Sequence, residues 1–289
     1  MISVLGNCVE DKYPDIPQDL NFADILGLLL TIVQNQSLVV SIPVLVTWSR
    51  MLRVEIMSED PALPPLVAPL LEVCSSRLIR YENLPEDFDD PSMIFLLDDI
   101  DTIPERHAFL GNYRRYSISV IESIVHEFQN EAIPYILNRA GNLLGNLYVE
   151  SGPFQAETYS KSSLQLLKVE AQFGVVEAAV KQYMKWRDTP RMNEGTPGTL
   201  ARERATLENL FETWCNQLLE MRFEDPLIRK KALQLAVAFS TSALDTKPGF
   251  MLRVLEHILT TQMPERPEHQ AYSDAVKELQ IESVNDLRR

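Results

Sequence analysis

"EDPLIRKKALQLAVAF", residues 224–239, carries the start signals of a helix and the pattern of its buried face in sixteen letters. A side-chain oxygen on Asp225 can accept from the unpaired backbone N–H groups of a first helical turn. Pro226 then falls where its fixed φ is pre-set for the helix and its missing N–H costs nothing. Leu227, Ile228, Leu235, Ala236 and Phe239 are predicted to face inward, and Arg229, Lys230 and Lys231 to face water as a solvated flank.

The same periodicity continues on both sides. Leu166, Val169, Phe173, Val176, Val180 and Tyr183 recur at helical steps, as do Leu110, Tyr113, Ser117, Ile121, Ile124 and Phe128. Phe250, Val254 and Ile258 mark a further helix opened by Pro248. No run alternates as strands in hairpins do. The predicted helices span 20–36, 38–57, 64–81, 105–128, 131–149, 154–187, 199–221, 226–243, 248–262 and 268–287. Short connections between most of them favour antiparallel neighbours. The Asp-Pro-x-x-Arg-x-x-Ala-Leu arrangement at 225–233 resembles a HEAT-repeat helix, and about five helix pairs of that type fit 289 residues. The expected fold is therefore an all-α, HEAT-like α-solenoid segment over 1–289. Two connections stand out as longer: an acidic inter-helix loop over 82–104 and a flexible loop over 188–198.

Eighteen prolines fall mainly between the apolar segments, where they punctuate helices. The net charge is −14, with eight carboxylates and no Lys or Arg in residues 82–101. That is the opposite of a nucleic-acid footprint and suits a basic protein partner. Cys8, Cys74 and Cys215 are odd in number and form no C-x-x-C pair, as expected of thiols in a reducing compartment. Asn35-Gln36-Ser37 matches a glycosylation sequon by chance, since no signal-peptide pattern accompanies it. The oily run Ile25–Val33 is too short to span a bilayer, so no membrane insertion is expected.

Enzyme motifs fail on inspection. "HEFQN" at 126–130 lacks the second histidine of a zinc-protease helix. No Cys and His stand at finger spacing, and there is no nucleophile elbow or Walker loop. Gly141 and Gly145 are spaced to let helices approach closely. "LLDDIDT" at 96–102 has Thr where a paired Asp-Asp-x-x-Asp metal site needs Asp. It also lacks the ligand series and central Gly of an EF-hand. No catalytic residue, metal or cofactor is expected. The acidic stretch reads as a solvated loop or one that contacts a basic protein, with Met93–Leu97 pinning it to the helices beneath.

Three segments, "VLVTWSRMLRVEIMSEDPAL" (44–63), "FLLDDIDTIPERHAFLGNYRR" (95–115) and "LFETWCNQLLEMRFEDPLIRKKALQLAVAFS" (210–240), resemble the exportin-5 family of the karyopherin-β superfamily, in its fungal form. The features carrying the resemblance are Trp48 ahead of Arg53-Val-Glu-Ile and Ser58-Glu-Asp-Pro, the Asp99-Ile-Asp101 segment leading to Phe109 and Arg114, and the Phe223–Ile228 turn. The resemblance implies a nuclear transport receptor, not an enzyme. It would bind cargo in a Ran-GTP-dependent way, pass nucleoporins and shuttle between nucleus and cytoplasm, with GTP present only through the bound Ran-type GTPase. The cargo would be phosphorylated protein in the fungal branch or structured RNA in the metazoan one. Length implies an internal segment of such a receptor, without the amino-terminal arch that supplies the principal Ran contacts. Acidic loops of several karyopherins touch Ran, so Asp87, Asp89, Asp90, Asp98, Asp99 and Asp101 are the candidate partner-binding residues. A HEAT scaffold subunit of another complex, with no transport role, is the competing expectation.

Overall fold

Helix α9 (Pro226–Ser240) begins where the sequence places it: Asp225 Oδ1 accepts from the backbone N–H of Leu227 at 2.8 Å and of Ile228 at 3.2 Å. The computed structural model describes residues 21–54, 59–85, 88–149, 151–189, 198–260 and 263–286. Among these residues there are eleven α-helices and no strand. The other ten are α1 (Phe22–Val33), α2 (Leu38–Met51), α3 (Pro64–Ser76), α4 (Pro91–Asp99), α5 (Ile103–Glu127), α6 (Gln129–Gly145), α7 (Leu164–Arg187), α8 (Gly198–Glu220), α10 (Pro248–Thr260) and α11 (Gln270–Asp286). Ten of the eleven stand at the positions expected from periodicity. The remaining one, α4, lies inside the stretch expected to be loop. The connection 188–198 falls mostly outside the described residues. No helix among the described residues is long and apolar enough to cross a membrane.

The chain divides into two compact units, Met1–Tyr135 and Ile136–Arg289. In the first, α5 is the spine. Its residues Leu110, Tyr113, Ser117, Val120, Ile121, Ile124 and Val125 are buried, three or four apart, against α2 and α3. Trp48 on α2 is completely buried. Helix α1 packs on both α2 and α3. Arg77, just past α3, is only 8% exposed yet has no carboxylate partner among the described residues. Its guanidinium instead donates to the carbonyls of Val33, Gln34 and Asn35 at 2.7, 2.9 and 2.6 Å, and to Tyr113 Oη at 3.1 Å. The carbonyl end of a helix carries partial negative charge, so α1 supplies the counter-charge.

In the second unit α9 is the hub, packed by α7, α8, α10 and α11. A helix enclosed this way buries more than one stripe: Ile228, Ala232, Leu233, Leu235, Ala236 and Phe239 are all buried. Phe239 is fully buried, with ring centroids of Phe211 at 5.4 Å and Trp214 at 6.0 Å.

Several expectations are corrected here. Leu227 is only half-buried, and Ile228 takes the inward position. Lys230 does not face open water: its side chain is 14% exposed and its ammonium lies 2.7 Å from Glu278 on α11, while Lys231 pairs with Glu170 at 3.2 Å. The partners lie far along the chain, where local periodicity cannot see them. Glu278 also takes Lys161 at 3.0 Å, and these hydrogen bonds, Lys230's first, hold its carboxyl below the usual range. Helix α7 starts at Leu164, not near 154, because Gly152 (φ 78°) and Pro153 turn the chain and Ser163 caps the helix through Leu166 N–H. Pro43, Pro69 and Pro134 lie inside helices instead of punctuating them. Gly141 and Gly145 mark no tight helix crossing: a Cβ on Gly141 would sit at ordinary contact with Trp214, and one on Gly145 in open space.

Asp225→Ala is expected to destabilise the chain by about 1–2 kcal/mol and Asp225→Asn by far less, because Asn caps as well as Asp. Phe239→Ala should cost about 3–5 kcal/mol. Lys230→Met, breaking a pair whose carboxylate is well exposed, should cost about 1 kcal/mol or less. Urea unfolding of the four chains tests the order.

Candidate partner-binding site

The acidic segment is held by the first unit. It opens with a 3-10 turn at Tyr81–Asn83, in which Tyr81 is buried and its hydroxyl is pushed up to about 12, chiefly by burial. Glu82 makes a two-pronged pair with Arg114 on α5, at 2.7 and 2.8 Å. The first of the eight carboxylates therefore has a cation after all, 32 residues away.

Asp90 and Pro91 then repeat the Asp225-Pro226 device. Asp90 Oδ1 accepts from Met93 N–H at 3.1 Å, with Pro91 at the first position of α4. The expected loop over 82–104 is thus replaced across 91–99 by a helix. Its inward residues Met93 and Leu96 are 4% and 2% exposed, so the oily run does pin the segment down. Ile94 and Phe95 point out, 49% and 42% exposed. Nine residues are too few to form a helix alone. The cap, the proline and two anchors against α2 make it persist.

The far end is fixed by two more polar devices. Ser37, which caps α2 through Val40 N–H, donates its hydroxyl to Asp99 Oδ2 at 2.9 Å. Thr102 caps α5: Glu105 N–H donates to Thr102 Oγ1 at 3.4 Å, and the Thr102 hydroxyl donates to Glu105 Oε2 at 2.7 Å.

The six candidate residues therefore divide. Asp90 and Asp99 have local structural work, Asp90 as a half-buried cap and Asp99 as the acceptor that joins α4 to the start of α2. Asp89, Asp98 and Asp101 are exposed, with no hydrogen bond or ion pair among the described residues. Asp87 lies outside the described residues. Asp98 and Asp99 sit at the carbonyl end of α4, where negative charge is unfavourable. Beside them Leu97, Ile103, Arg106, His107 and Leu110 line a shallow cleft of about 100 Å³. No group of three or more His, Cys, Asp or Glu side chains among the described residues is placed to hold a metal. Cys74 and Cys215 are buried, and burial pushes the Cys74 thiol up to about 12, away from nucleophilic use. The segment offers an acidic, partly apolar surface.

Sequence reasoning missed Arg114 and Ser37 as the groups that organise this surface. The Asp90-Pro91 pair was the available signal for α4, since it matches the start of α9.

The described residues form an all-α frame with an acidic edge on the first unit. The exportin-5 family model matches residues 1–289, and the chain belongs to that family, whose fold is the HEAT-type helical solenoid. It is 28% identical over 236 residues to an uncharacterized protein of Schizosaccharomyces pombe, covering 81% of this chain and 18% of that protein. It is 26% identical over 276 residues to Protein MSN5 of Saccharomyces cerevisiae, covering 91% of this chain and 21% of that protein. The chain spans about a fifth of the length of these curated relatives.

Asp90→Ala should destabilise the chain by about 1 kcal/mol through loss of the cap. Asp98→Asn should be neutral within about 0.5 kcal/mol or mildly stabilising, because it removes a charge from the wrong end of a helix. Thermal unfolding of the two variants decides whether the carboxylates divide as described.

Proposed function

We propose that this chain is a segment of a nuclear export receptor that binds cargo in a Ran-GTP-dependent manner, with the acidic segment of the first unit as a docking edge for the Ran-type GTPase. Membership of the exportin-5 family carries the transport reading. The exposed trio Asp89, Asp98 and Asp101 supports the docking reading: Asp98 lies on the anchored helix α4, and Asp89 and Asp101 flank its two ends. Carboxylates on a rigid edge attract a basic surface at long range and raise the association rate more than the final affinity. Ile94 and Phe95 place apolar surface between the charges, the usual make-up of a contact with an apolar centre and a polar rim.

In this reading the chain carries no catalytic residue and no cofactor of its own. GTP arrives with the partner. Passage through pores past nucleoporins, movement between nucleus and cytoplasm, and a cargo of phosphorylated protein or structured RNA belong to the whole receptor.

Asp89, Asp98 and Asp101 changed together to Asn in the full-length receptor should slow association with Ran-GTP several-fold while leaving the melting temperature unchanged. The effect should shrink as salt rises, because exposed charges are screened beyond about 8 Å at physiological ionic strength. Stopped-flow association at two ionic strengths measures it. An unchanged rate at low salt would remove the docking edge and leave the family assignment standing.

A further inference from the structure

The second unit holds a cavity of about 580 Å³ between the end of α8, the start of α9, α10 and the segment leading into α11. Its polar lining is unlike the rest of this acidic chain: Arg222, Arg229, Arg266 and His257 all face it. Arg229 is half-buried, and its guanidinium makes no hydrogen bond or ion pair among the described residues. Burial holds its guanidinium below its usual range. The Arg266 guanidinium lies over the Tyr272 ring, 5.5 Å from the centroid, which keeps it at the same wall. His257 is pushed down by burial first and then by the charge of Arg229, which lines the same cavity. The acidic groups lining the cavity are Glu220 and Glu224, both exposed.

A desolvated guanidinium without a partner is costly, and such groups are retained where an anion completes them. Arg presents a fixed fork of donors that fits the two oxygens of a carboxylate or a phosphoryl group. Phe223 and Met263 add an apolar wall, too large for a bare inorganic ion and suited to the body of a side chain. We infer that this cavity binds an oxyanion carried on an extended peptide segment, with Arg229 as the central donor and Arg222 and Arg266 as flanking ones. The inference does not depend on the docking edge, since it concerns a different unit and a different charge; a phosphoserine preference deepens the phosphorylated-cargo part of the proposed function, and failure here leaves the docking edge untouched.

The test is fluorescence anisotropy of the 289-residue chain with three labelled peptides identical except at one position, which is phosphoserine, glutamate or serine. Binding of the phosphoserine or the glutamate peptide, with the serine peptide at least tenfold weaker, is the expected result. The stronger of the two identifies the source of the oxyanion. Inorganic phosphate should compete only at far higher concentration. Arg229→Gln should weaken the bound peptide about tenfold or more, the value of one charge-assisted hydrogen bond in a partly buried site. Arg222→Gln, at an exposed position that cannot compromise folding, should weaken it by a smaller factor, and Glu224→Gln should tighten it by removing a repelling charge. Equal binding of all three peptides, no binding of any, or binding indifferent to Arg222→Gln and Glu224→Gln in chains that melt normally would overturn the site.

Discussion

Asp225 is 2% exposed and holds a buried carboxylate at the start of α9, with no ion pair to a basic side chain among the described residues. Burial pushes its carboxyl above the usual range, while two backbone N–H groups of α9 pull the other way. Those donors would otherwise be unpaired at the start of a buried helix, and the carboxylate would otherwise be unpaired in the core. Each solves the other's problem only if α9 starts at Pro226. The start of α9 in turn fixes where Ile228, Leu235 and Phe239 point, and four helices pack on those positions.

The first unit meets the same requirement with the opposite sign. Arg77 is buried and completes the carbonyl end of α1, at three oxygens that no further helical turn satisfies. Tyr113 on the spine α5 accepts from the same guanidinium and shares the hydroxyl of Ser41 on α2 at 3.0 Å. One side chain thus links α1, α2 and α5. In both units a charge of the right sign stands at a helix end and takes the backbone as its counter-ion, which is how a helical core of this kind buries an ion without pairing it to another.

The acidic segment shows how local chemistry and charge density compete in a reading of sequence. Like charges at this density argue for solvent and a loop. Asp90-Pro91, just ahead of the first apolar anchor Met93, argues for a helix. Capping and burial of Met93 and Leu96 outweigh the repulsion because, among the described residues, Asp89, Asp98, Asp99 and Asp101 are exposed to screening solvent, and Glu82 and Asp99 find donors on α5 and at the start of α2. The outcome is an acidic edge of fixed geometry; in the proposed docking role, less ordering entropy is lost on contact than from a mobile loop.

Helix positions, the buried stripes of α5, α7 and α10, and the Asp225-Pro226 start were legible in the sequence, because periodicity and caps are local and the chain writes them within one or two turns. The family was legible for the same reason: three local segments in the right order carry it. Tertiary structure alone decided which charges are occupied. The partners of Lys230, Glu82 and Asp99 lie 48, 32 and 62 residues away, and nothing local distinguishes a paired side chain from a solvated one. It also decided that Arg222, Arg229, Arg266 and His257 share one cavity, since residues spread from 222 to 266 converge only when α10 and the approach to α11 close around the start of α9.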